Sequence, residues 1–368
     1  MEESIIAPEL NRRADDAPEG LELVSRDAGA RRRFMALLGP LAEVLGDERT
    51  NEVRVNDDGR VWVTMYGQPK MLLQGRFGRD RREALSGYLA NLEYGRAMDR
   101  LHSRLQCDLP IYGSRVQAFA PPVSEWTLII RNHSRIIIPW RTYVDTAAPE
   151  AAINEDWEGS ERPMAGWDEA IIGAIKQHRN IMVAGAVSSG KTTVLNTLNA
   201  EHAKMFPQER LVVVQDRREI VPCLDDHIVI MARVEQSRPG ANGTSTRYMY
   251  EFGDAVEDAM RCDGDTLVWG EVRDPLSAIG LVGATNTGLR AIKATIHASS
   301  AEDVPTRLEE LMLDGGRHPI RRRVAKMCEL IIYMQRSEVD RVRRIVDVVR
   351  VLGVDSQGGY RFERVAPQ

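Results

Sequence analysis

The chain has 368 residues, with 49 Lys and Arg against 54 Asp and Glu, and this mildly acidic balance (net charge −5) excludes the overall basic character of a typical nucleic-acid binder. Its four cysteines lie far apart and include no C-x-x-C pair, which disfavours a zinc site or a disulfide framework and favours reduced, buried thiols in the cytosol. No apolar stretch approaches the length of a membrane span, which is about eighteen residues, and the N-terminus lacks the apolar core of a signal peptide. We therefore expect any membrane association to be peripheral.

The first third of the chain predicts a mixed α+β domain over residues 28–147, after a flexible N-terminus, 1–27. Apolar residues at helical spacing predict one helix from Arg31 to Leu45 and a second over about 81–105. Residues 52–63 alternate in polarity on both sides of an Asn-Asp-Asp-Gly turn, which predicts a β-hairpin. Three further short strands are predicted near residues 109–112, 115–119 and 126–131.

A polar, proline-flanked stretch, residues 148–164, is typical of a linker between domains. Beyond it, over residues 165–368, buried strands alternate with helices, which predicts a mostly parallel sheet with helices on its faces. The predicted helices cover about 167–178, 192–205, 252–260, 275–284 and 304–313. The predicted strands cover about 181–184, 211–214, 228–232, 266–269, 294–296, 330–334, 345–352 and 360–365. Residues 236–247, rich in Gly, Ser and Thr, predict a mobile loop.

The stretch Gly185-Ala-Val-Ser-Ser-Gly190-Lys191-Thr192 has the G-x-x-x-x-G-K-[ST] spacing of a phosphate-binding loop. A short apolar strand precedes it and a helix follows, which is the context that the motif requires. Glycines allow backbone N–H groups to surround an anion, and the helix N-terminus adds partial positive charge. The motif assigns Lys191 to the β- and γ-phosphates and the Thr192 hydroxyl to Mg²⁺.

Polar side chains end three of the predicted strands that follow this loop. Glu271 ends an apolar strand about 80 residues after the loop, where a carboxylate can hold the Mg²⁺ shell or polarise water. Asp216 and Glu219 follow another strand, and His297 follows a third. Because ligands of open α/β sheets bind at the carboxyl ends of strands, these four side chains are candidate site residues.

The order of four motifs resembles the secretion-ATPase superfamily, the hexameric motors of type II and type IV secretion, type IV pili and conjugation. The matching stretches are GAVSSGKTT (185–193), VVVQDRREI (212–220), VWGEVRD (268–274) and ATIHASS (294–300). They correspond to that family's Walker A motif, Asp box, Walker B motif and His box. The short length and the absence of a tetracysteine insert resemble the conjugal-transfer and type IV secretion branch. This resemblance implies a RecA-like ATPase domain behind a smaller α+β N-terminal domain.

The resemblance also implies site roles. Glu271, Lys191, His297 and Glu219 are the expected catalytic residues, and Thr192, Asp216 and Glu271 the expected Mg²⁺ ligands. The expected ATP-binding residues are Gly185, Ser188, Ser189, Gly190, Lys191, Thr192 and Thr193, together with Arg115 and Arg131 of the N-terminal domain, which the family brings to a nucleotide lying between the domains. Guanidinium groups suit that task because they stay charged and pair bidentately with phosphate.

Two stretches depart from the family pattern. Gln215 stands where the Asp box usually has glutamate, which removes one charge near the metal. The Gly-His-Pro-Gly run before the His box is replaced by Leu289-Arg290-Ala291-Ile292-Lys293, and Arg290 or Lys293 is a hypothetical substitute cation for the lost histidine.

The resemblance implies an ATP- and Mg²⁺-dependent homo-hexameric motor for type IV secretion or conjugative transfer. It would act with inner-membrane machine components at the cytoplasmic face of the bacterial inner membrane, without binding nucleic acid directly. A type IV pilus or tight-adherence motor is an alternative within the family, and a nucleotide-dependent scaffold with little turnover is an alternative of another class. A small-molecule kinase would leave the N-terminal domain and the His box unexplained.

Overall fold

In the computed structural model the chain divides into two compact units, residues 1–136 and 137–368. The structure describes residues 24, 27–47, 49–65, 70–132, 137–138, 143, 166–232, 234–239, 245–337 and 342–367. The predicted linker, 148–164, and almost all of the predicted flexible N-terminus, 1–27, lie outside these residues, and their boundaries stay predictions. Among the described residues, no helix combines the length and the apolar character that a membrane crossing requires.

The described part of the N-terminal unit forms three helices and a six-stranded sheet in the order β3-β2-β1-β6-β5-β4. Every pairing in this sheet is antiparallel. The elements are α1 (Ala28–Leu38), α2 (Leu41–Gly46), β1 (Thr50–Val55), β2 (Val61–Met65), β3 (Met71–Leu72), α3 (Arg79–Tyr94), β4 (Arg104–Asp108), β5 (Arg115–Phe119) and β6 (Thr127–Arg131).

Glycines correct two helix predictions in this unit. The helix predicted from Arg31 to Leu45 is two helices, because Gly39 has φ +51° and Pro40 follows it. The helix predicted to reach residue 105 ends at Gly95, whose φ of +65° is a left-handed C-cap. The strand predicted near 109–112 is also wrong: the strand there is β4, and residues 109–113 form a turn closed by the Gly113 N–H donating to the Leu109 carbonyl (2.8 Å). The predicted hairpin of β1 and β2 is confirmed.

The C-terminal unit contains an eight-stranded sheet within its described residues, in the order β16-β15-β14-β7-β13-β12-β8-β9. The six strands β14, β7, β13, β12, β8 and β9 pair in parallel. Strands β15 and β16 extend the sheet beyond β14 with antiparallel pairing. The elements are α4 (Trp167–Lys176), β7 (Ile181–Gly185), α5 (Lys191–Met205), β8 (Leu211–Gln215), β9 (His227–Met231), β10 (Val234–Pro239), β11 (Ser245–Tyr250), α6 (Phe252–Ala259), β12 (Thr266–Val272), α7 (Pro275–Ala284), β13 (Arg290–Ile296), α8 (Asp303–Asp314), α9 (Arg321–Met327), β14 (Leu330–Arg336), β15 (Arg343–Val354) and β16 (Tyr360–Arg364).

Helices cover both faces of this sheet, and the central strands β7 and β8 are buried along their whole length. Every residue of β8 is buried. Val212 and Val214 pack into the cluster with α6 to α9, whereas Leu211 and Val213 pack with Leu195 of α5 on the other face. The predicted α/β class, a mostly parallel sheet preceded by a smaller α+β unit, is confirmed.

Two local predictions fail in the C-terminal unit. The mobile loop predicted over 236–247 is in part the antiparallel hairpin of β10 and β11, while residues 240–244 lie outside the described residues. Helix α9 was not predicted, because it begins with the charged run Arg321–Arg323 and buries only a short apolar stripe: Val324, Ala325 and Met327.

Candidate nucleotide site

The phosphate-loop motif lies between the end of β7 and the start of α5, at the carboxyl edge of the parallel strands. Gly185 has φ +150°, and a Cβ at this position would lie 2.2 Å from the Met334 carbonyl oxygen of β14. Gly190 has φ +97°, and a Cβ there would lie 3.0 Å from Cδ of Arg343. Both positions therefore require glycine, which lets the loop backbone turn tightly between two strands.

Three polar residues that were expected to bind nucleotide, Ser188, Ser189 and Thr192, lie on or directly after this turn. Ser188 adopts φ +61°, a conformation uncommon for a residue other than glycine. The Ser189 hydroxyl is buried without a hydrogen-bond partner among the described groups, which suits it to an incoming acceptor such as phosphate oxygen. Thr192 Oγ1 lies 3.4 Å from Oε2 of Glu219, and Thr193 is half-buried in the first turn of α5.

Lys191 is 7% exposed. Its Nζ donates to the carbonyl oxygens of Gly185 (3.1 Å) and Ala186 (2.9 Å). Burial lowers the pKa of this ammonium to about 8, while the carboxylates of Glu271 and Glu219 oppose that shift. The side chain is thus still charged near neutral pH, in a site of low polarisability where its charge acts strongly on an anion.

His297 connects the phosphate-loop lysine to Glu271. Its Nδ1 lies 3.2 Å from Lys191 Nζ, and its Nε2 lies 3.0 Å from Glu271 Oε1. Because an ammonium can only donate, Nδ1 accepts from Lys191, and in the neutral ring Nε2 then carries the proton and faces Glu271. One chain of polar contacts therefore joins the phosphate-binding motif, the end of β13 and the end of β12.

Arg273, which sequence reasoning did not single out, pairs with two of the expected acids. Its guanidinium contacts the Asp216 carboxylate and lies 3.5 Å from Glu271 Oε2. Arg273 is the residue immediately after β12, two positions beyond Glu271, at the carboxyl edge of the sheet. It offsets the charge of two neighbouring carboxylates, while Glu219 is the acid beside the Thr192 hydroxyl.

Gln215, the departure in the Asp box, organises the turn that follows β8. The side chain is 3% exposed, and its Oε1 accepts from the backbone N–H groups of Glu219 (2.9 Å) and Ile220 (2.9 Å). An acceptor at this position fixes the backbone of Glu219, and an amide does so as a carboxylate would. Glutamine in place of the family's glutamate therefore keeps the turn while removing a charge.

Arg343, at the start of β15, is a second residue that sequence reasoning missed. Its Nε donates to the Ser188 carbonyl (3.1 Å), and its aliphatic stem packs against Gly190. It follows the phosphate loop by more than 150 residues, so no local pattern connects it to the loop. The guanidinium anchors the tip of the loop.

The proposed substitute cations are not at this site. Lys293 Nζ contacts Thr266 Oγ1 (3.4 Å) and the Ala291 carbonyl (3.3 Å), and Thr266 is the first residue of β12. Arg290 is the first residue of β13. Both lie at the amino-terminal edge of parallel strands whose carboxyl edge carries the phosphate loop, so the interpretation of Arg290 or Lys293 as replacing the lost histidine is wrong.

Arg115 and Arg131 lie on adjacent strands of the N-terminal unit. They are directly opposite each other in the antiparallel pairing of β5 and β6, and Arg131 also faces Glu52 of β1. Their side chains thus share one sheet face. Their approach to the nucleotide remains a prediction.

A cleft of about 720 Å³ opens beside the phosphate loop. Its lining includes Gly185, Val187 and His297, and one face of α8 that carries Asp303 and Glu310. A nucleotide's phosphates are of a size to enter such a cleft.

Residues 167–336 match the family model described as "Type II/IV secretion system protein". This match places the C-terminal unit in the type II/IV secretion ATPase family. The match begins with α4 and ends with β14, so it contains the phosphate loop, Glu271 and His297. Membership of this family means that the C-terminal unit is a nucleotide-binding ATPase domain.

Two curated relatives align with most of the chain. One is "Probable conjugal transfer protein TrbB" of Sinorhizobium fredii, 27% identical over 322 residues, or 87% of this chain and 89% of the relative. The other is "Type IV secretion system protein PtlH homolog" of Bordetella bronchiseptica, 25% identical over 81% of this chain and 89% of the relative. Among solved structures, the Legionella pneumophila ATPase DotB superposes with a TM-score of 0.54 at 16% identity, covering 88% of this chain and 82% of DotB. DotB supports the fold.

Proposed function

We propose that the protein is an ATP-hydrolysing motor that powers type IV secretion or conjugative transfer. The observation that carries this proposal is the chain of polar contacts Lys191–His297–Glu271, which connects three motifs of a secretion ATPase in one site. The names of the TrbB and PtlH relatives, which align with this chain over both of its units, favour conjugation and type IV secretion among the family's roles.

The residues present fit an ATP·Mg²⁺ complex. The glycine-lined turn brings backbone N–H groups toward an anion, and the buried Ser189 hydroxyl, which has no partner among the described residues, supplies another donor. Thr192, with Asp216, Glu219 and Glu271 as nearby acids, would hold the Mg²⁺ ion, which when bound supplies positive charge to the phosphates.

The protein's own residues would then act on the bound nucleotide. Lys191 releases the carbonyls of Gly185 and Ala186 and pairs with the β- and γ-phosphates, where it offsets charge on the leaving group. Glu271 orients the attacking water and accepts its proton. His297 keeps Glu271 in place through Nε2–H. Arg115 and Arg131 are proposed to add guanidinium groups to the phosphates.

The proposed assembly is a homo-hexamer that acts with inner-membrane secretion components at the cytoplasmic face of the bacterial inner membrane. Light scattering of the purified chain with and without ATP and Mg²⁺ tests it. We expect six times the chain mass of 41.3 kDa when nucleotide is present. A monomer under every condition would contradict the hexamer.

Hydrolysis is tested by comparing Lys191→Ala and Glu271→Gln with the wild type. We expect Lys191→Ala to lose ATP binding, and Glu271→Gln to keep binding while losing turnover. Equal, near-background hydrolysis in the wild type and in Glu271→Gln, with binding intact, would instead identify a nucleotide-dependent scaffold.

A further inference from the structure

A cluster of three potential metal ligands lies at the amino-terminal edge of the parallel sheet, the edge opposite the phosphate loop. His178 follows α4, His202 lies in the last turn of α5, and Glu209 precedes β8. No motif of the nucleotide site includes these residues. The cluster connects the far end of α5, the helix that begins at Lys191, to the elements on both sides of it.

The three side chains point directly at one another. His178 Nε2 lies 2.7 Å from Glu209 Oε1, and His202 Nε2 lies 2.7 Å from Glu209 Oε2. All three ligand atoms lie within 4.8 Å of one another. The ring of Phe206 packs against both imidazoles, with centroid distances of 4.2 and 5.1 Å, and fixes their orientation.

The backbone also holds this arrangement in place. His178 has φ +53°, which is uncommon for a residue other than glycine. Its carbonyl accepts from the Ala291 N–H (3.0 Å), which ties that strained residue to the sheet. The second nitrogen of His202, Nδ1, is buried without a hydrogen-bond partner in the described part of the chain. Nε2 is therefore the atom through which this ring is held, and it is aimed into the cluster.

We propose that His178, His202 and Glu209 bind one Zn²⁺ ion. Two imidazole nitrogens and one carboxylate oxygen form the donor set of a three-ligand zinc site whose fourth position holds water. The cysteine spacing led us to expect no zinc site, but it bears only on thiolate ligands, so sequence reasoning missed this imidazole and carboxylate site.

Zinc–ligand distances of about 2.0–2.2 Å place neighbouring ligand atoms roughly 3.3 Å apart. The two histidines contact different oxygens of Glu209, so zinc binding requires the 2.7 Å contacts to open and the Glu209 carboxylate to turn one oxygen toward both Nε2 atoms. The His178 and Glu209 side chains are 24% and 18% exposed, whereas His202 is 1% exposed. Zinc and its water ligand can therefore enter from the side of His178 and Glu209, while His202 closes the inner side.

Lys293 supplies an internal control, because its charge acts on this cluster. It lowers the pKa of His202, in addition to the larger effect of burial, and Glu209 is the main carboxylate that raises the pKa of Lys293 itself. A cation in that position opposes a second cation. Removing it without changing side-chain volume, by Lys293→Met, is expected to tighten zinc binding at least threefold.

The test is calorimetric titration of the full chain with ZnCl₂ after removal of metals with a chelator, and it needs no ATPase activity. We expect one zinc per chain, at least tenfold weaker binding in His178→Gln and in Glu209→Gln, and no competition from Mg²⁺, which prefers oxygen ligands. Glu209→Gln keeps a hydrogen-bond acceptor for the histidines, so its fold is expected to persist, and a thermal melt verifies that.

Two histidines and a carboxylate are also ligands of ferrous iron. Separate titrations with Co²⁺ in place of Zn²⁺, and with Fe²⁺ under anaerobic conditions, therefore distinguish the metals. Tighter binding of Zn²⁺ than of Fe²⁺, with visible Co²⁺ bands of a four-coordinate site, supports the proposal. Failure of the wild type to bind zinc would overturn it, as would zinc binding that both folded variants retain unchanged. The cluster would then be a hydrogen-bonded clamp alone.

Discussion

Nδ1 of His297 accepts a hydrogen bond from Nζ of Lys191, at 3.2 Å. The same ring reaches Glu271 through Nε2, so a single histidine fixes both the phosphate-binding cation and the proposed general base. The positions of the Lys191 ammonium and the Glu271 carboxylate are therefore coupled through the His297 ring.

We expect His297→Ala to lower kcat for ATP hydrolysis by about ten- to a hundredfold, because Glu271 loses the donor that orients it. Asparagine places a polar atom near Nδ1 and glutamine places one near Nε2. Steady-state assays of His297→Gln are therefore expected to recover more activity than His297→Asn. Wild-type kcat in His297→Ala would show that the ring does not serve the reaction.

Nucleotide affinity should depend on pH through Lys191. The pKa of its ammonium is lowered to about 8, so the charge that binds phosphate is lost as the pH rises through that value. We expect the Kd for ATP to increase by up to about tenfold per pH unit above 8, as measured with a fluorescent ATP analogue between pH 6.5 and 9.5. The arginine of Lys191→Arg stays charged over this range. Whatever the affinity of that variant, its Kd for ATP should therefore change less with pH than that of the wild type. Parallel profiles would contradict the assignment.

Gln215 is expected to matter for stability through its acceptor oxygen. Gln215→Leu leaves the buried Ile220 N–H unpaired, at a cost of about 1–3 kcal/mol, and should lower the melting temperature. The Glu219 N–H loses one of its two acceptors and keeps the Arg217 carbonyl. Gln215→Glu keeps an acceptor, so we expect it to melt above Gln215→Leu and to retain hydrolysis. Calorimetry of both variants checks this order, and a higher melting temperature for the leucine variant would refute it.

Arg343 should affect ATP binding more than turnover, because it holds the Ser188 carbonyl at the loop tip. One hydrogen bond contributes about 0.5–1.5 kcal/mol, so Arg343→Ala is expected to raise KM for ATP roughly two- to tenfold with kcat little changed. Arg350→Ala is the matched control, since Arg350 lies on the same strand and pairs with Glu363. An equal change in both variants would assign the effect to β15 as a whole.

Lys293 should destabilise the domain most at and below neutral pH. Burial lowers the pKa of its ammonium to about 7, below the value of the unfolded chain, so the unfolded state binds the extra proton between these values and stability rises with pH there. We therefore expect Lys293→Met to raise the melting temperature of the metal-free protein, by more at pH 7 than at pH 9. A rise in melting temperature that is larger at pH 9 than at pH 7 would contradict the expected pH dependence.

The sequence by itself determined the fold class and the order of the site motifs. The phosphate loop, the apolar strands ending in Asp216 and Glu271, and the strand ending in His297 are local patterns, because glycine spacing and strand ends act within a few residues. Parallel strands then bring their carboxyl ends to one edge of the sheet. Helix ends were less predictable, since a glycine C-cap such as Gly95 interrupts a pattern that otherwise continues.

Only the tertiary structure decided which side chains meet. Arg343 reaches Ser188, Arg273 bridges Asp216 and Glu271, and Lys293 turns away to the opposite edge of the sheet. His178, His202 and Glu209 converge from three separate elements. Periodicity assigns a residue to a face, but the partner on that face comes from another part of the chain. Such contacts depend on strand order and packing, which no local pattern records.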